Sequence, residues 1–156
     1  MAAAMGFFSK LRSPGSSEAR LTQEIAELAG QSQGLVERLR RHSALCNLSN
    51  IKTKALAIAD KEAVHTKALN AILAARDVWS KLPEPPLHDG ASNWARLSGD
   101  LELYAAIIAS LRRMASQWEP IDQAIADQLL VIAAEDDGLE SDLRKLALLC
   151  DPQALD

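Results

Sequence analysis

The sequence predicts an all-α protein, an antiparallel four-helix bundle, and three observations carry that prediction. The six prolines fall at Pro14, Pro83, Pro85, Pro86, Pro120 and Pro152, which leaves long stretches without a helix breaker. Ala, Leu, Ile, Glu and Arg fill those stretches, and all but Ile are strong helix formers. Within them apolar residues recur in steps of three and four, the spacing that lines one face of a helix. At 156 residues the chain is one domain by length, large enough to bury a core.

The first helix is expected over about residues 17–46. Ser16, Ser17 and Glu18 supply capping hydroxyls and an early acid, and Leu21, Ile25, Leu28, Leu35 and Leu39 form its apolar stripe. Residues 47–50, NLSN, read as a short turn, so the second helix folds back antiparallel over about 50–82. Its stripe is Ile51, Ala55, Ile58, Ala59, Val64, Leu69, Ile72 and Leu73. The third helix, about 91–118, carries Trp94, Leu97, Leu101, Tyr104, Ile108, Leu111, Ala115 and Trp118. Pro120 suits the first turn of a fourth helix over about 120–150, striped by Ile121, Ile125, Ile132, Leu139 and Leu146. Residues 1–16 and 152–156 are left as tails flanking a bundle over 17–151.

The connection PEPPLHDGASN, residues 83–93, is unlike the other two. Eleven residues of polyproline character can span about 34 Å, close to the length of the bundle. It can therefore run from one end to the other and make helices two and three parallel. The two hairpins also resemble each other: VERLRRHSA (36–44) matches IASLRRMAS (108–116) at an offset of 72 residues, and EAVHTKAL (62–69) aligns with DDGLESDL (136–143) at 74.

Charge and composition exclude several functions. A net charge of −4 argues against a nucleic-acid surface, which needs a basic stripe. The densest basic group, Arg38, Arg40, Arg41 and His42, reads as a solvated helix face, and His88 as a solvated linker residue. No run approaches the ~18 apolar residues of a membrane span. Cys46 and Cys150 are too few for a disulfide framework, so reduced thiols and a cytoplasmic location are the default. The first residues, MAAAMGFFSKLRSPGSS, are acid-free and read as a flexible tail. Trp79, Trp94 and Trp118 fall at helix ends, where they are expected to plug the bundle.

One pair of residues suggests chemistry. Glu62 and His65 form a Glu-x-x-His, which puts a carboxylate and an imidazole on one helical face, close enough to share a metal ion. ALAIADKEAVHTKALNAIL (55–73) around it resembles the second helix of the ferritin-like superfamily, near its rubrerythrin and bacterioferritin branch. AGQSQGLVERLRRHSA, DLELYAAI and VIAAEDDGLESDLRKL extend the resemblance over about residues 18–150.

The resemblance implies a crossover bundle holding two metal ions between four carboxylates and two histidines. Carried over residue by residue, Glu62 and His65 match the first Glu-x-x-His, Gln31 falls nearest the acidic ligand of the first helix, and Glu102 is the candidate on the third. The fourth helix has two registers. Glu135 at the carboxylate puts Gly138 in the histidine slot; the internal repeat puts Asp136 at the carboxylate and Leu139 in that slot. Neither supplies a second histidine. The donor set is thus Glu62, His65, Glu102 and Glu135, with Gln31 and Asp136 as further positions.

The leading expectation is a non-catalytic interaction or scaffold bundle with a degenerate metal site and no cofactor, acting alone or as a homodimer. The alternative is a protein binding iron or another divalent metal, or a divergent di-iron oxidoreductase.

Overall fold

The computed structural model describes residues 14–81 and 90–151. Among these the chain forms four helices and no strands: α1 Pro14–Leu45, α2 Ser49–Ala74, α3 Asn93–Trp118 and α4 Gln123–Leu149. Residues 1–13 of the expected N-terminal tail, the C-terminal tail, most of the proline-rich linker and His88 lie outside the described residues, while residues 14–16 of that expected tail belong to α1.

Helix ends follow local chemistry. Pro14 begins α1 three residues earlier than expected, its fixed φ suiting a first turn. Ser92 caps α3 by accepting from the Ala95 N–H, and Asp122 caps α4 by accepting from Ala124 and Ile125, so α4 starts at Gln123 rather than at Pro120. The largest departure is at α2, which stops at Ala74 instead of running to 82. Asp77 adopts a left-handed φ of 54°, the Val78 N–H donates to Leu73 O, and the Asp77 N–H donates to Ala74 O. That is a Schellman close, made here with an aspartate rather than a glycine. Trp79 beyond it is 83 % exposed and plugs nothing, whereas Trp118 is fully buried and Trp94 packs partly against the core.

Adjacency and direction define the topology. α1 packs on α2 and α3, α4 packs on α3 and α2, and α1/α4 and α2/α3 are the diagonals. Ion pairs set the directions: Arg38 and His42 near the end of α1 meet Asp100 near the start of α3, while Glu24 near the start of α1 meets Arg113 near the end of α3. Arg76, just past α2, reaches both Glu18 and Asp122. All four adjacent pairs are therefore antiparallel, and α2 and α3 run parallel across the diagonal.

The connection from α2 to α3 must then cross from one end of the bundle to the other. Its first part climbs along α1. Arg76 sits beside Glu18, and Lys81 donates its N–H to Ala26 O and its ammonium to Glu27, about 12 Å higher at 1.5 Å per residue. Gly90 prepares the turn into α3 with φ 84°, a conformation that disfavours any side chain.

The expected stripes form the core, with exceptions of register. Leu21, Ile25, Leu28, Leu35 and Leu39 are all buried, as are Ile125, Ile132, Leu139 and Leu146 at intervals of seven. Ile121 and Val64 are exposed instead: Ile121 precedes the helix, and Val64 points away from the seam that carries Glu62, His65 and Thr66. No helix among the described residues is long and apolar enough to cross a membrane.

Candidate functional site

Midway along the bundle, each helix places a polar side chain at a core position. Ser32 takes the place in the α1 stripe between Leu28 and Leu35, Glu62 and His65 come from α2, Tyr104 from α3 and Asp136 from α4. All five are buried.

The cluster is a connected network. Glu62 is its centre: Ser32 Oγ donates to Oε1 at 2.5 Å, and Tyr104 Oη donates to Oε2 at 2.7 Å. Thr66 lies 2.7 Å from the Ser32 hydroxyl and donates to the Glu62 backbone carbonyl. His65 Nδ1 sits 2.6 Å from Asp136 Oδ1 and 3.4 Å from Glu62 Oε2. Its Nε2 sits 2.6 Å from Glu135 Oε2. With carboxylate oxygens against both ring nitrogens, the surrounding acids favour the doubly protonated ring, an imidazolium that donates from each nitrogen. Asp136 Oδ2 is buried with no hydrogen-bond partner among the described residues.

Protonation follows from these contacts. Burial works against the Glu62 anion, but His65, the neighbouring Asp136 and the Ser32 and Tyr104 hydroxyls together outweigh it and hold the carboxyl below its ordinary value. Burial likewise works against a charged His65, yet Asp136, Glu62 and Glu135 together push it up to about 10. Asp136 is pushed up to about 7, by burial first and by the nearby Glu62, with His65 pulling the other way. Tyr104 is held as the neutral phenol by burial and by the two carboxylates it faces.

The structure sorts the sequence-predicted donors. Glu62 and His65 are in the cluster. On α4 the register of the internal repeat is the one realised: Asp136 points inward with Leu139 buried one turn on, and Glu135 reaches His65 from outside with its side chain 60 % exposed. Gln31 and Glu102 are corrections. Both are exposed, because each residue turns a helix by about 100° and the inner positions belong to Ser32, one residue on, and Tyr104, two residues on.

A second buried pair was missed altogether. His42 is not on a wet face: it is 3 % exposed, with Nδ1 2.6 Å from Asp100 Oδ2, and Arg38 Nε lies 3.0 Å from Asp100 Oδ1 in an ion pair off the hydrogen-bond axis. The available signal was Asp100 itself, a carboxylate spaced three and four residues from Leu97 and Tyr104 on the seam.

Glu62, His65 and Asp136 can each offer one ligand atom within 4.8 Å of the others. Two metal ions do not fit this set. A two-metal centre needs about four carboxylates and two imidazoles, and the cluster supplies two buried carboxylates and one imidazole, with hydroxyls from α1 and α3 at the remaining inward positions. No protein-family model matches the chain, and no curated protein matches it.

Proposed function

We propose that the chain is a non-catalytic ferritin-like bundle, an interaction or scaffold module in which a metal-free ion-pair cluster occupies the place of a metal centre. The observation that carries this reading is His65. Each of its ring nitrogens lies 2.6 Å from a carboxylate oxygen, and the imidazolium those carboxylates favour has no lone pair for a metal. Glu62 is equally engaged, by Ser32 on one oxygen and Tyr104 on the other. Such a network fixes how the helices meet without supplying an open position for a substrate.

An interaction role is supported by exposed leucines where α1 and α4 both finish: Leu45, Leu48, Leu148 and Leu149. A second copy of the chain is the partner we infer for that end. The free thiols Cys46 and Cys150 suit a reducing compartment such as the cytoplasm.

A second reading has its own support. Asp136 Oδ2 is buried and unpartnered, and the three potential ligand atoms lie close together, as a single divalent cation requires. Binding there would strip a proton from His65, so affinity would rise with pH.

Elemental analysis after expression in metal-rich medium separates the two, together with melting in the presence and absence of a chelator. Sub-stoichiometric iron, manganese and zinc, with an unchanged melting point, is the expected result. One tightly bound ion per chain whose removal lowers the melting point would overturn the metal-free reading.

A further inference from the structure

The α2–α4 seam is the thinnest of the four. A surface groove of about 410 Å³ opens along it, with Val64, Gly138 and Leu139 as its apolar lining and Lys61 on its rim. It continues toward Ile58 and Leu146, where Lys54 and Lys145 add two more cationic side chains. Three lysines here stand against Asp142 and Glu135, on a chain whose net charge is −4.

His65 lines the head of this groove. Its Nδ1 faces the buried carboxylates, and its Nε2 faces Glu135, which is mostly solvent-exposed and belongs to the groove wall. A carboxylate on an exposed side chain is thus already seated on a buried imidazolium. Only the Glu135 half of this pair is exposed, so a second carboxylate entering the groove can take its place on Nε2 while His65 stays where it is.

Gly138 is the second, independent observation. Glycine is a poor residue for the interior of a helix, and Gly138 lies well inside α4. No neighbour demands it: a Cβ built there meets nothing within 4 Å. Its missing side chain leaves open the space beside His65 and Leu139.

We propose that this groove binds an aliphatic monocarboxylate, a medium-chain fatty acid, with its carboxylate replacing Glu135 on His65 Nε2 and its chain lying over Val64, Gly138 and Leu139 toward Ile58. The proposal rests on the metal-free reading of His65, because an imidazole ligating a metal would have a different partner. Each methylene that leaves water should tighten binding about four-fold, the factor equivalent to ~0.8 kcal/mol per buried CH₂.

The test uses the full chain treated with chelator. Hexanoate, octanoate and decanoate, each below its micellar concentration, are titrated while the His65 side-chain nitrogens are followed by NMR. Saturable shifts at Nε2 are expected, with affinity rising about four-fold per added methylene until the groove is filled, and none with octanol. Glu135→Ala should bind octanoate more tightly by removing the competitor. Gly138→Leu, which fills the groove and favours the helix, should raise the melting point and abolish binding. No saturable shift with decanoate, equal binding of octanol, or unchanged binding by folded Gly138→Leu would each overturn the proposal. A stoichiometric metal found before chelation would overturn the metal-free reading instead, and the two failures are read in separate measurements.

Discussion

Replacing Tyr104 by phenylalanine removes one oxygen from the centre of the bundle and nothing else. That hydroxyl donates to Glu62 Oε2 at 2.7 Å and lies 3.4 Å from Asp136 Oδ1, and the side chain is fully buried. A hydrogen bond to a buried charged group contributes about 1.5–3 kcal/mol, and the space left by one oxygen is too small to admit water as a replacement donor. Tyr104→Phe should therefore cost about 2 kcal/mol, which for a domain of this size lowers the melting point by about 4–8 °C.

Urea unfolding followed by far-UV circular dichroism, with unchanged m-value, measures that cost. The loss also has a pH signature. Glu62 is held below its ordinary 4.5, so the stability its anion contributes is present above 4.5 and disappears as pH falls through the lower folded value. The deficit of Tyr104→Phe should accordingly shrink in acid. In a double-mutant cycle with Glu62→Gln, the coupling should be about 1–2 kcal/mol. A variant within ~0.5 kcal/mol of the parent at neutral pH, with no coupling to Glu62, would refute the network as described.

Three further outcomes are expected. Asp100→Ala should destabilise the protein by about 3–5 kcal/mol in the same urea assay, since His42 and Arg38 lose the buried carboxylate they share, while Asp100→Asn should cost less. His65 is held at about 10 against 6.5 when unfolded, so its contribution is complete below 6.5 and drains away as pH rises through 10; Asp136, raised from 3.8 to about 7, slopes the same way at lower pH. Stability should fall by up to about 1.4 kcal/mol per pH unit on the alkaline side, and His65→Gln should flatten that limb; parallel curves would contradict it. Cys46 and Cys150 should be bridged within one chain by a bifunctional maleimide of ~10–15 Å span. They finish parallel helices at one end, and in a simple up-and-down bundle they would be ~40 Å apart.

What the sequence discloses depends on how far a signal reaches. Heptad spacing is local, so the stripes of α1, α3 and α4 could be read directly, and Glu62 and His65 were visible because they stand on a seam of otherwise apolar residues. Asp136 was visible through the repeat at 74 residues. Gln31 and Glu102 fail on rotation: a shift of one or two residues, harmless to a helix boundary, moves a side chain from the core to water. Ser32 could have been found as the polar residue filling the vacant stripe position between Leu28 and Leu35. His42 failed for a different reason. Its neighbours in sequence are exposed arginines, and its partner is 58 residues away on another helix, a pairing no local pattern announces. The premature end of α2 was hidden because Asp77 takes the left-handed position normally advertised by glycine.

The crossover has a mechanical consequence. Because α1 starts at one end of the bundle and α4 finishes at the other, tension applied between Pro14 and Leu149 runs along the helix axes. Load then tries to slide α1 past its two antiparallel neighbours, straining the Ser32, Glu62, Tyr104 and Asp136 contacts together. In a simple up-and-down bundle both of these points would lie at the same end, and pulling would peel the helices apart one contact at a time. Pulled between those points, the bundle would be loaded in shear, with its polar centre as the bolt that must break.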